Sequence, residues 1–107
     1  MNTLLGIYQQ DVDTSLQKFT VKYWSPHEML ASLVEEVGEV SREINNQFGP
    51  KKKKPGENSG DLGGELADVM FSVICIANEQ KINLDEVWAR VMVKYELRDS
   101  NRFERKK

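Results

Sequence analysis

The sequence predicts an all-α protein of the four-helix-bundle type, and three observations carry that expectation. Apolar residues recur at three- and four-residue steps along most of the chain. Helix start signals, Ser25-Pro26-His27-Glu28 and Asn83 followed by Glu86, stand just before such stretches. No strand-like pattern runs longer than residues 20–24. At 107 residues the chain has the length of one domain, expected to span residues 1–107. With 39% hydrophobic and 30% charged residues, it is too apolar for a disordered chain and too charged for a membrane protein.

The first helix is expected over about residues 3–20, where Leu5, Tyr8, Val12, Leu16 and Phe19 share one face. The second begins at Pro26, with Ser25 as N-cap and Glu28 completing a capping box. Leu30, Leu33, Val34, Val37, Val40 and Ile44 mark its buried stripe, and Gly49-Pro50 ends it. Residues 49–60 form a polar loop holding four consecutive lysines, Lys51 to Lys54. The third helix runs from near Asp61 to about Gln80. It is apolar on most sides, through Leu66, Val69, Met70, Phe71, Val73 and Ile74, so it is expected to be buried nearly all round. Gly63 and Gly64 in its first turn weaken helix propensity by about 1 kcal/mol each and leave room for close approach by another backbone or a ligand. The fourth helix starts at Asn83 and ends near Arg98, followed by a charged tail over 99–107. The bundle is expected to be built largely from helices two to four. So apolar a third helix needs more cover than a short chain supplies, which predicts a homodimer or homotetramer.

Net charge is −2, but its distribution is uneven. Residues 26–48 carry one base, Arg42, against five acids, and residues 55–80 carry five acids and no base. Lys51–Lys54 and the segment after residue 80 are basic. The near-neutral total argues against a nucleic-acid polymer as partner. No apolar run of membrane-spanning length exists, and the start of the chain lacks a signal peptide's pattern, so a cytoplasmic location without membrane association is expected. The single cysteine, Cys75, excludes an intramolecular disulfide and sits in an apolar run as a small hydrophobe.

The acids carry the chemistry. Glu36 and Glu39 are three residues apart and Glu35 and Glu39 four, so they occupy neighbouring turns of one helix; Glu43 extends the stripe. Glu65 and Asp68 repeat the three-residue spacing on the third helix. An aspartate within so apolar a helix is costly unless paired or bound to metal. Carboxylates from two adjacent helices make a hard, all-oxygen site of the kind that selects Mg²⁺, with Mn²⁺ as substitute. The one histidine, His27, lies outside the acids, which disfavours zinc and di-iron chemistry. The competing reading is a solvated acidic face.

Glu35-Glu36-Val37-Gly38-Glu39, followed after 25 residues by Glu65-Leu66-Ala67-Asp68, resembles the E-E-x-x-E…E-x-x-D signature of the MazG-like nucleotide pyrophosphohydrolases. Trp24-Ser25-Pro26, the lysine-rich loop and Lys94-Tyr95-Glu96-Leu97-Arg98-Asp99 extend the similarity to small single-domain bacterial members, over about residues 10–103. The resemblance implies an all-α oligomer that hydrolyses nucleoside triphosphates to the monophosphate and pyrophosphate with Mg²⁺, in nucleotide-pool cleansing. By position it implies Glu36, Glu39, Glu65 and Asp68 as metal ligands and Glu35 as an acid that either supports those ligands from behind or activates the water. Lys94 and Arg98, four residues apart, are candidates to meet phosphate charge, against a plain solvated helix end. Trp24 is the candidate stacking surface for the base, against a core or interface anchor. The alternatives are a sister activity on phosphoribosyl-ATP or on dUTP or dCTP, and a non-catalytic helical module that binds nucleotide.

Overall fold

The computed structural model describes residues 4–49 and 60–106. Four helices account for its regular structure: α1 (Leu4–Leu16), α2 (Pro26–Phe48), α3 (Leu62–Glu79) and α4 (Leu84–Asp99). No strand occurs among the described residues. The expected 49–60 loop, with Lys51–Lys54, lies almost wholly outside them. No helix is long and apolar enough to cross a membrane among the described residues.

The α2 start forms as its sequence dictates. The Ser25 hydroxyl accepts a hydrogen bond from the Glu28 amide at 3.3 Å, and a Glu28 carboxylate oxygen accepts from the Ser25 amide at 3.2 Å. Asn83 caps α4 by accepting from the Glu86 amide at 3.2 Å.

Helix α1 ends at Leu16, short of the expected residue 20, and Phe19 leaves its stripe. The reason is Asp13, whose carboxylate accepts from Lys22 at 3.0 Å and from the Tyr23 hydroxyl at 2.7 Å. Those bonds require the chain to fold back on α1 within ten residues. Helix α3 stops in a Schellman motif in which Ile82 N–H donates to Ala77 C=O at 2.8 Å and Lys81 N–H to Asn78 C=O at 3.1 Å. Lys81 occupies the left-handed position, φ 57°, that glycine usually takes.

Helices α2 and α3 form the main packed pair, α1 lies against α3, and α4 packs chiefly on α1. The bundle is therefore not built largely from helices two to four. Polar groups explain where α4 goes. The Asp85 carboxylate in its first turn accepts from the Leu5 and Gly6 amides, both at 3.1 Å, satisfying the exposed start of α1. The Gln9 side chain accepts from the Leu84 amide at 3.0 Å.

Within one chain α3 is covered on part of its circumference: Ser72, Ile74 and Ala77 are buried, while Leu66, Met70, Phe71 and Val73 are exposed, so the cover expected for them does not come from this chain. Asp68 is exposed as well, so the cost of burying it does not arise in the single chain. Among the described residues the buried apolar side chains are Val12, Met29, Ile74 and Ala77, a small core.

Candidate functional site: a carboxylate cluster beside an aromatic cavity

The antiparallel pairing of α2 and α3 sets the two acidic motifs against each other. Glu36 of α2 and Glu65 and Asp68 of α3 each offer a carboxylate oxygen, and these oxygens lie within 4.8 Å of one another. Burial raises the Glu65 carboxyl above its ordinary range, and the neighbouring charges of Asp68, Glu39, Glu36 and Glu43 push the same way. Among the described residues, the charged side chains acting on Glu65 are acids. Like charges held this closely repel, and a cation is the partner that reverses the sign. Oxygen donors from three carboxylates suit a hard divalent ion, so the residues present fit such a metal.

The other predicted acids stand apart from that triad. Glu39 lies one turn along α2, close enough to act on Glu65, and its carboxylate meets Arg42 at 3.8 Å. That pair is mostly exposed and contributes little. Glu35 is exposed and outside the three-carboxylate cluster. Glu43 is buried, and its carboxylate rests on Gly60, where a methyl group would have no space. Gly60 thereby brings the chain leading into α3 hard against α2, which helps set the register of Glu65. The Asp61 carboxylate lies over Gly63 and Gly64.

Lys94 and Arg98 do not join the acids within one chain. Both cations lie over the Tyr95 ring, at 5.1 and 4.3 Å, and Arg98 grips Asp99 through two hydrogen bonds of 2.8 and 3.1 Å. Trp24 is exposed and forms part of the wall of a cavity of about 360 Å³. Phe19, Tyr23 and Phe71 supply further aromatic wall, and Ser32, Ser72 and Cys75 line it from α2 and α3. Ser32 lies four residues before Glu36, and Ser72 four residues after Asp68. The cavity therefore opens one helical turn, about 5–6 Å along the axes, from the carboxylates. Burial raises the Cys75 thiol above its ordinary range, so it is no activated nucleophile.

Sequence reasoning missed Tyr23, Asp13 and Asn78. Tyr23 donates to Asp13 and accepts from the Asn78 side-chain amide at 2.9 Å. Burial and the bond to Asp13 push the Tyr23 phenol up to about 12. Asn78 carried a signal, a polar amide in a strongly apolar helix.

A family model, the MazG nucleotide pyrophosphohydrolase domain, matches residues 24–103, which contain both acidic motifs and the Trp24 wall. The chain belongs to that family. YpjD of Bacillus subtilis (strain 168) is 42% identical over 98 residues, covering 92% of this chain and 88% of its own length. The crystal structure of Bacillus subtilis YpjD matches with a TM-score of 0.78 at 38% identity, covering 89% of this chain and 97% of that one. The structure of a Bacillus-conserved MazG protein, a nucleotide pyrophosphohydrolase, matches with a TM-score of 0.73 at 38% identity, covering 92% and 95%. The MazG-family chain is accordingly a hydrolase, a nucleotide pyrophosphohydrolase with the all-α fold expected of it. Its α1, which supplies Asp13 and Gln9, precedes the segment that the family model matches.

Proposed function

We propose that this protein is a Mg²⁺-dependent nucleoside triphosphate pyrophosphohydrolase, cleaving NTP or dNTP to the monophosphate and pyrophosphate in nucleotide-pool cleansing. The observation that supports it best is the placing of the Glu36–Glu65–Asp68 cluster one helical turn from an aromatic cavity. Glu36, Glu65 and Asp68 would hold the metal, with Glu39 joining them. Bound there, Mg²⁺, or Mn²⁺ in its stead, neutralises phosphate charge, acidifies a water and stabilises charge developing at the transferred phosphorus. Glu35 is the proposed water-activating acid, its carboxylate accepting the proton of the attacking water. Trp24 offers the base a stacking face, worth about 1–3 kcal/mol for such contacts.

Lys94 and Arg98 are the proposed phosphate contacts. Since α4 packs on α1, this assignment requires a second copy to bring its own α4 to the groove. Oligomer formation, as a homodimer or homotetramer, has independent support. The chain exposes 8873 Å², where a compact protein of this mass exposes about 6,100 Å². Its radius of gyration is 17.7 Å, against roughly 13 Å for a compact domain of this length. Trp88, Met92, Leu66 and Met70 lie exposed on the single chain. Light scattering at micromolar concentration should find a dimer or larger; a monomer contradicts this part of the reading.

A screen of canonical and damaged nucleoside triphosphates with Mg²⁺, scoring pyrophosphate release, tests the activity. Pyrophosphate and monophosphate in equal amounts support it. Orthophosphate alone, or nucleotide binding without turnover, contradicts it and favours the non-catalytic module. Turnover confined to phosphoribosyl-ATP, dUTP or dCTP would mark a sister enzyme.

A further inference from the structure

The wall of the aromatic cavity is held by a hydrogen-bond chain that reaches well outside it. The Asn78 side-chain nitrogen donates to the Tyr23 hydroxyl at 2.9 Å and to the Gln9 backbone carbonyl at 3.0 Å. Its side-chain oxygen accepts from the Gln9 amide at 2.9 Å. Both donors of the Asn78 amide are therefore used. Gln9 is also fully engaged: its amide donates to the Ile82 carbonyl at 2.8 Å, and its oxygen accepts from the Leu84 amide. On the other side the Tyr23 hydroxyl donates to Asp13, which Lys22 grips at 3.0 Å.

The geometry has a consequence for the cavity. Tyr23 stands on the irregular stretch between α1 and α2, where no helix fixes its backbone. Its ring lines the cavity, and its hydroxyl is held from both sides, by Asp13 and by Asn78. Asn78 itself is not among the residues lining that cavity. We infer that Asn78 is a positioning residue for nucleotide recognition, holding the Tyr23 wall in place against the α3–α4 turn through Gln9. This rests on the proposed function for the identity of the occupant, and it concerns binding rather than the bond-breaking step. Asn78 acts on the base end of the groove and leaves the carboxylate cluster untouched.

The test compares the wild type with Tyr23→Phe, which keeps the ring and removes its anchor, and with Asn78→Asp, which keeps the shape and removes both donors. Two readouts are taken. The first is KM and kcat for a nucleoside triphosphate that the wild type hydrolyses with Mg²⁺. The second needs no turnover: the rate at which iodoacetamide labels Cys75, the single cysteine of the chain, which lines the same cavity. Both variants should raise KM roughly tenfold with kcat within about twofold, the pattern of lost uniform binding, and label Cys75 several-fold faster. Tyr23→Phe deletes a single hydroxyl, so it remains informative if Asn78→Asp does not fold. Unchanged KM and labelling in the folded variants overturn the inference, as does a loss confined to kcat. If the wild type hydrolyses no nucleotide, the proposed function fails, while the labelling comparison still decides whether Asn78 holds the wall.

Discussion

One helical turn separates Ser32 and Ser72, which line the aromatic cavity, from Glu36 and Asp68 in the carboxylate cluster, yet these two stretches of the α2–α3 groove differ in what holds them. At the cavity, apolar and aromatic side chains pack and the polar atoms of Tyr23 and Asn78 are paired within the protein. At the cluster, the charges of described residues that act on Glu65, those of Asp68, Glu39, Glu36 and Glu43, share its sign and raise its carboxyl above the ordinary range. The Tyr23 hydroxyl at the cavity has its partners within the protein, whereas the carboxylates of the cluster suit a cation. A nucleoside triphosphate has the matching asymmetry, an aromatic base at one end and a polyanion that needs metal at the other. Two ends with separate duties should fail separately when they are altered.

Changes at the acidic end should have the largest effects. Asp68→Asn should cut turnover roughly a hundredfold or more, the scale seen when a charge-stabilising group is lost, while its thermal melt stays near that of the wild type. Glu39→Gln should cost less, because Glu39 lies outside the three-oxygen cluster and faces Arg42. Equal losses in the two variants would draw Glu39 into the metal site on the same footing. At the apolar end, Trp24→Ala should raise KM on the order of tenfold and leave kcat within about twofold, as loss of one stacking face predicts. A collapse of kcat with unchanged KM would break the division of labour.

The next effect bears on folding. The Asp13 carboxyl is held below its ordinary range, first by the hydrogen bond from Tyr23 and then by Lys22. A carboxylate with a depressed folded pKa stabilises the protein above its unfolded pKa, and that stability is lost as pH falls through the folded value. Asp13→Asn should therefore melt below the wild type at neutral pH. The gap should close as pH drops below about 4, near the unfolded pKa of an aspartate. A gap that persists at low pH would mean that the charge is not what Asp13 contributes. The smallest effect is expected at Lys81. A lysine in the left-handed region costs about 1 kcal/mol relative to glycine, so Lys81→Gly should raise thermal stability by that amount without altering turnover. A fall in stability would show that the lysine side chain makes an offsetting contact.

The legible parts of this molecule are those fixed by near neighbours in the chain. Ser25-Pro26-His27-Glu28 places the start of α2 because all the partners of a capping box lie within four residues. The three-residue spacings Glu36–Glu39 and Glu65–Asp68 put acids on adjacent turns whatever surrounds them, and carboxylate oxygens of Glu65 and Asp68 lie within 4.8 Å of one of Glu36. Illegible were the features set by partners far along the chain. Asp13 stops α1 from reaching residue 20 by binding Lys22 and Tyr23. Asp85 draws α4 onto α1 by capping amides some eighty residues earlier. Neither contact leaves a periodic trace. The apolarity of α3 predicts burial without naming the molecule that supplies it, and within the single chain Leu66, Met70 and Val73 are exposed.

The claim on which the rest depends is that Glu36, Glu65 and Asp68 together bind a divalent cation. Titrating Mn²⁺ into chelator-treated protein, with the free ion followed by electron paramagnetic resonance, tests it without reference to any substrate. The account predicts saturable binding by the wild type and at least a tenfold weaker affinity in Asp68→Asn, in line with the loss of a direct ligand. Wild-type affinity retained in Asp68→Asn and in Glu36→Gln, or no saturable binding in the wild type, would contradict it.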